Sequence, residues 1–155
     1  MIEENKNVAE SICSLDWNNE LSIQQNGIQS VLDMVKNNQL DVKNLIQPSL
    51  GKQYWENSAR VLLQLPQEFI SGNEGLLLDA IQDINWPGTE LIIELLSRQP
   101  ISTIIQLYKN AYENTKLVED DLWVRGLYLL GEKLNTQNNL DDILAKMRLY
   151  LDSMG

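Results

Sequence analysis

The sequence contains no histidine and only one cysteine in 155 residues. The absence of histidine excludes the Ser-His-Asp arrangement, histidine-based acid–base catalysis and most zinc sites. A single cysteine excludes an internal disulfide and fits a reducing compartment. Cys13 follows an acidic stretch with few cations near it, so we expect an unreactive, half-buried thiol. These absences predict a protein that is not an enzyme of the common nucleophilic or zinc-dependent classes.

Cations are also scarce, with 12 basic residues against 22 acidic ones and a formal net charge of −10. An acidic chain does not neutralise phosphates, so we expect neither nucleic acid nor an anionic membrane as a partner. A basic protein partner fits the charge. Solubility alone also accounts for it and is the more common reason for such a charge.

Long apolar runs are absent, and none approaches the roughly 20 residues that a membrane-spanning helix needs. The first ten residues are acidic and lack the apolar core of a secretory signal. No glycine-rich phosphate-binding pattern of the G-x-x-x-x-G-K-S/T or G-x-G-x-x-G type occurs. We therefore expect a cytoplasmic protein without a bound cofactor.

Apolar residues, 43% of the chain, recur at helical spacing along most of its length. The clearest pattern runs from Ile101 to Tyr112, where apolar residues stand at offsets 0, 3, 4, 7, 10 and 11. We expect Asn114 and Thr115 to close that helix. No stretch alternates with the period of two that is typical of strands. The sequence predicts an all-α fold with about eight or nine helices in a single domain, residues 1–155.

Proline and capping residues indicate where the central helices begin. Ser71 and Glu74 have the spacing of a capping box, and the apolar pattern behind them continues to Ile84. The next segment, D-I-N-W-P-G at 83–88, predicts a corner between two helices. Pro87 suits the first turn of the second helix, because its missing N–H is not needed there.

In this corner we expect Asp83 or Asn85 to cap the second helix and Trp86 to cover the joint. The four tryptophans of the chain all stand at predicted corners, separated by 38, 31 and 37 residues. A period of about 30–45 residues with two helices in each unit is typical of an α-solenoid. One helix pair cannot bury its apolar faces alone, so pairs stack. We predict a HEAT-like solenoid of stacked antiparallel helix pairs.

Two sets of motifs carry a family resemblance. The segment D-L-W-V-R-G-L-Y-L-L-G, residues 121–131, is similar to the second helix of a HEAT repeat. The segments K-Q-Y-W-E-N-S-A-R-V-L and I-Q-D-I-N-W-P-G-T resemble an uncharacterised bacterial family of small HEAT-like domains with the motif L-L-E-W-L-Q-D-x-N-W-P-x-A. The resemblance covers residues 50–134. It implies a fold and no established activity.

The tryptophan corners have two interpretations. Each ring could wedge between stacked helix pairs, as large buried aromatics commonly do. Alternatively, some rings could line one edge and form an aromatic and acidic binding strip, because tryptophan and tyrosine are frequent binding hot spots. The centre of that strip would consist of Asp83, Asn85, Trp86, Asp120, Asp121 and Trp123.

The leading hypothesis from the sequence is a non-enzymatic protein-binding module, and one concrete version is an immunity protein that neutralises a basic toxin. One alternative is a structural subunit that self-associates through an apolar face. Another is an enzyme that uses carboxylates or a metal, built on pairs such as Asp79 and Asp83, which stand four residues apart. Capping and a solvated face explain such carboxylates more simply, so no metal site is predicted. The oligomeric state stays open.

Overall fold

The computed structural model describes residues 2–118 and 120–154, and every regular element in this part of the chain is helical. This confirms the all-α prediction. Two 3₁₀ helices, Val42–Leu45 and Lys52–Tyr54, lie between the second and third α-helices. The nine described α-helices are α1 Ile2–Cys13, α2 Leu21–Lys36, α3 Trp55–Gln64, α4 Gln67–Ile70, α5 Glu74–Asp79, α6 Thr89–Ser97, α7 Ile101–Val118, α8 Asp121–Leu134 and α9 Asp141–Met154.

The chain divides into two compact units. The first consists of Met1–Asn73 and Trp86–Leu91, and the second of Glu74–Asn85 and Ile92–Gly155. The single-domain organisation and the solenoid stay predictions. Among the described helices, none is both long enough and apolar enough to cross a membrane.

A buried side-chain amide links the first three helices of the first unit. Asn57 in α3 is 2% exposed, and its amide donates to the carbonyl of Leu15 at 2.8 Å and to the side-chain oxygen of Gln24 at 2.9 Å. Since a buried amide is costly without partners, these bonds tie the α1–α2 turn and α2 to α3. The apolar core around them includes Val31, Leu32, Val35, Val61 and Leu62.

A close approach of helices organises the second unit. Tyr108 in α7 is fully buried, and its hydroxyl donates to the carbonyl of Leu127 in α8 at 2.5 Å. Gly131 lies directly against the Tyr108 hydroxyl, and a Cβ there would stand 2.7 Å from Cδ2 of Leu144 in α9. Only glycine leaves room for both contacts.

The helices α8 and α9 run antiparallel. The hydrogen bond from Tyr150, near the end of α9, to Asp121, the first residue of α8, shows this direction.

The predicted start and end of α5 were wrong. Gly72 has a φ of +92°, which a helical residue cannot adopt, so the helix begins at Glu74 and Ser71 does not cap it. The helix also stops at Asp79 instead of continuing to Ile84. Residues 80–82 donate to carbonyls three positions back, at 3.1–3.3 Å, which is the tighter winding of a 3₁₀ turn. This winding still buries Ile81 completely.

Two further local predictions need correction. Asn114 and Thr115 do not close α7, which continues to Val118. The Thr115 hydroxyl instead donates to the carbonyl of Tyr112 at 2.6 Å, so the polar side chain is satisfied within the helix. Cys13, expected to be half-buried, is exposed at the end of α1.

Candidate functional site

The six predicted binding residues belong to both compact units. Trp86 lies in the first unit, and the other five, Asp83, Asn85, Asp120, Asp121 and Trp123, lie in the second.

Trp86 packs against a second tryptophan. Its ring meets Trp55 edge to face, with the ring centroids 4.7 Å apart and the planes at 66°. The indole N–H of Trp55 donates to the carbonyl of Pro48 at 2.9 Å, and the Lys52 ammonium lies 5.7 Å from the Trp86 centroid. Both rings are half-buried. Trp86 thus covers the start of α3 and still presents part of its ring to solvent.

The corner before α6 is built differently from the prediction. Pro87 lies in the turn that precedes α6, not in its first turn. Gly88 follows with a φ of +85°, in the left-handed region that favours glycine. The helix begins at Thr89, whose backbone N–H and hydroxyl both donate to the carbonyl of Trp86, at 3.2 and 2.8 Å.

Neither Asp83 nor Asn85 stands at the position directly before α6, which begins at Thr89. The Asp83 carboxylate accepts the backbone N–H of Asn85 at 2.9 Å, which closes a local turn before the corner. Asp83 is half-buried and Asn85 is exposed. This turn shapes the chain ahead of the tryptophan.

An aspartate caps the start of α8. The Asp120 carboxylate accepts the backbone N–H of Trp123 at 3.1 Å, as an N-cap residue does. Trp123 is only 6% exposed, so its ring packs in the protein interior and is not available as an exposed contact residue. Its indole N–H has no hydrogen-bond partner among the described residues.

Trp123 lines a small cavity of about 200 Å³ in the second unit, with Asp79, Asn110 and Asn114 among the other lining residues. Desolvation by the surrounding protein raises the pKa of the Asp79 carboxyl. Asp79 is the last residue of α5 and Asp83 lies beyond the helix, so the two carboxylates do not share a helix face. Within the described residues, no group of three or more acidic or cysteine side chains is arranged to hold a metal ion.

An exposed aromatic residue that the sequence prediction missed lies beside Asp121. The Tyr150 hydroxyl donates to the Asp121 carboxylate, and Tyr150 is 37% exposed. The neighbouring leucines, Leu122 and Leu149, are 38% and 72% exposed. We call these four residues the Asp121–Tyr150 edge. Three consecutive apolar residues, 149–151, cannot all face the core of a helix, and this signal could have revealed the exposed side.

A second cavity of the second unit has a volume of about 530 Å³ and lies against α8 and α9. Its apolar lining is provided by Ile84, Leu129 and Leu151. A hydrogen bond to Glu132 raises the pKa of the Tyr128 hydroxyl, which also lines the cavity. The charged side chains that line it are Arg125, Glu132, Arg148 and Asp152.

Among known proteins, the chain is similar to a tRNA(Met) cytidine acetate ligase from Thermoanaerobacter sp. (strain X514), with 26% identity over 116 residues. The alignment covers 70% of this chain and 29% of that ligase. The chain therefore spans less than a third of the length of this curated relative. No protein-family model and no solved structure matches the chain. At this identity and coverage, the similarity assigns the chain to no family.

Proposed function

We propose that this chain is a non-enzymatic protein-binding module that docks a basic protein partner on the Asp121–Tyr150 edge. The formal charge alone does not select a binding face. The first unit has 10 acidic and 5 basic residues, and the second has 12 and 7, so each has a net charge of −5. The choice of edge rests on the side chains that accompany the acids.

The observation that carries the proposal is the coincidence of an ordered acid, an exposed aromatic ring and exposed leucines. Tyr150 and Asp121 hold each other through a hydrogen bond at an exposed position, so little side-chain freedom remains to be lost on binding. Tyrosine is enriched among binding hot spots. Leu149, at 72% exposure, offers apolar area next to it. A partner with a basic side chain beside an apolar one would complement this edge.

The first test compares two exposed leucines. Leu149→Ala removes apolar area from the edge, and Leu21→Ala removes a leucine of similar exposure, 67%, from the first unit. Capture of host proteins on immobilised wild-type and variant chains is measured by quantitative mass spectrometry. We expect Leu149→Ala to lower the capture of a specific basic protein at least about tenfold, as loss of a hot spot would, with no change for Leu21→Ala. Equal capture by both variants would refute the Asp121–Tyr150 edge as the binding face.

The second test separates charge from hydrogen bonding. Asp121→Asn removes the charge but keeps an acceptor for Tyr150. Asp141→Asn is the matched control, because Asp141 also begins a helix and also accepts a side-chain hydrogen bond, from Asn135 at 2.7 Å. We expect only Asp121→Asn to slow association with the captured protein, and the difference to shrink at high salt. If charge reversal along the edge leaves capture unchanged, the electrostatic part of the proposal fails.

A specific version of this function is an immunity protein that neutralises a basic toxin. The net charge of −10 and the lack of histidine support it. Co-expression with the product of a neighbouring gene that arrests growth tests this version. We expect the wild-type chain to restore growth and the Leu149→Ala variant to restore it less. If growth arrest is unaffected by the wild-type chain, that gene product is not the target.

Two other functions make different demands. A self-associating subunit would use the exposed leucines against a second copy, and sedimentation would then show a dimer that Leu149→Ala dissociates. The similarity to a tRNA(Met) cytidine acetate ligase favours a role in acting on tRNA. The net charge of −10 opposes contact with phosphates, so we expect no saturable tRNA binding at about 50 mM salt. Saturable binding would instead support the tRNA role.

A further inference from the structure

The four arginines of the chain fall into two groups. Arg60 and Arg98 each form an ion pair with the glutamate four residues earlier in the chain, at 3.2 and 2.7 Å. Arg125 on α8 and Arg148 on α9 form no ion pair with any carboxylate of the described residues. Both of them line the 530 Å³ cavity. The two guanidinium groups without an ion pair therefore line one concave site, and one of them comes from α8 and the other from α9.

The volume and lining of this cavity suit a small ligand. A volume of 530 Å³ lies within the roughly 300–1,000 Å³ of ligand pockets. Leu129 and Leu151 contribute an apolar surface to the lining, and four charged side chains share it. A guanidinium group presents two parallel donors that match a carboxylate. The cavity can thus recognise a carboxylate beside an apolar group.

Two carboxylates in the same lining restrict the ligand further. Glu132 and Asp152 balance the two arginines, so the lining is formally neutral in a chain with a net charge of −10. The Tyr128 hydroxyl lines the same cavity, and its proximity to Glu132 raises its pKa. A simple anion would meet the two acids, and a simple cation would meet the two arginines. A ligand with both charges satisfies all four groups.

We propose that this cavity binds a small zwitterion with an apolar side chain, namely an apolar α-amino acid or a short peptide with free ends. Arg125 and Arg148 bind its carboxylate, Glu132 and Asp152 bind its ammonium group, and the leucines contact its side chain. This site is separate in its residues from the Asp121–Tyr150 edge. The two proposals therefore stand or fall independently.

Binding of leucine and of the dipeptide leucyl-leucine to the full chain is measured by NMR titration. Three analogues each lack one recognised group: leucinamide lacks the carboxylate, N-acetylleucine lacks the ammonium group, and glycine lacks the side chain. We expect saturable binding of leucine or of the dipeptide, and binding of each analogue at least about tenfold weaker, which corresponds to one lost charged or apolar contact. N-acetylleucine binding as tightly as leucine would overturn the zwitterion in favour of a simple anion site.

Variants locate the site. Arg125→Gln and Arg148→Gln should each weaken binding of the tighter ligand at least about tenfold, because each removes a charge-assisted contact with the carboxylate. Arg98→Gln is the control, since Arg98 is an exposed arginine, just after α6, that is already paired with Glu94. Circular dichroism verifies that each variant is folded. No saturable binding of either ligand up to about 10 mM, or equal weakening by all three variants, would contradict the proposal.

Discussion

The two compact units use the same residue type in opposite ways. In the first unit, Trp55 and Trp86 are half-buried, lie edge to face, and the Trp55 indole has a carbonyl partner. In the second unit, Trp123 is 6% exposed, and its indole N–H is unpartnered among the described residues. Trp17, also in the first unit, is 42% exposed and is therefore the least buried of the four tryptophans. Regular spacing in the sequence therefore does not give these four rings equivalent roles.

The difference shows what decides the role of a corner tryptophan. At the α8 start, the Asp120 cap fixes the first turn, and the following ring is turned into the interior. At the α6 start, the positive φ of Gly88 redirects the chain after Trp86, and the ring meets Trp55 instead. Burial follows from the backbone at each corner and not from the tryptophan itself.

The largest effect should come from removing the two rings. We expect Trp123→Ala to lower the free energy of unfolding by about 3–5 kcal/mol, as for a buried aromatic residue, and Trp86→Ala by about 2 kcal/mol, because part of its side chain is already solvated. Urea denaturation measures both values. A near-neutral Trp86→Ala would show that its packing on Trp55 adds little, and would favour an exposed contact role.

A smaller effect tests the polar ends of the rings. Trp55→Phe removes the hydrogen bond to Pro48, which should cost about 0.5–1.5 kcal/mol beyond the lost ring area. Trp123→Phe removes a buried N–H that has no partner among the described residues, so its cost should be about 1 kcal/mol less. Thermal denaturation of both variants gives the difference. Equal costs would indicate that water satisfies the Trp123 indole.

The smallest effect concerns the two aspartates that precede Trp17 and Trp123. Asp120→Ala should cost about 1 kcal/mol, because it removes the side-chain cap of α8. Asp16→Ala is the matched change. The Asp16 carboxylate accepts the N–H of Asn18 in an exposed turn and does not cap α2, so a few tenths of a kcal/mol are expected. Chemical denaturation distinguishes the two. A larger cost at Asp16 would reverse the comparison.

Much of the fold follows from apolar spacing. The pattern that begins at Ile101 predicted α7, and similar patterns predicted α2, α8 and α9, because long amphipathic helices leave a strong signal. The limits of the short helix α5 could not be predicted from apolar spacing. Its limits depend on the positive φ of Gly72 and on a 3₁₀ turn, and neither is specified by hydrophobic periodicity.

The candidate site could be predicted only in part. Capping chemistry is local, so a cap such as Asp120 leaves a signal in the sequence, an acidic residue directly before a helix. The burial of Trp123 and the pairing of Asp121 with Tyr150 depend on contacts across 29 positions of sequence or on the packing of other helices. Residues at helical spacing such as Tyr150 look like core residues until the neighbouring helix is known.

The contact between Tyr108 and Leu127 has a spectroscopic consequence. Burial raises the pKa of the Tyr108 hydroxyl far above its ordinary range, so this phenol stays protonated in the folded chain. The folded state favours the protonated form of Tyr108. Its contribution to the free energy of unfolding is therefore complete below the ordinary tyrosine pKa of about 10 and is lost as the pH rises beyond that value. In an alkaline titration followed by tyrosinate absorbance, Tyr108 should ionise only as the chain unfolds. Its ionisation therefore provides an intrinsic optical signal for the opening of α7 from α8.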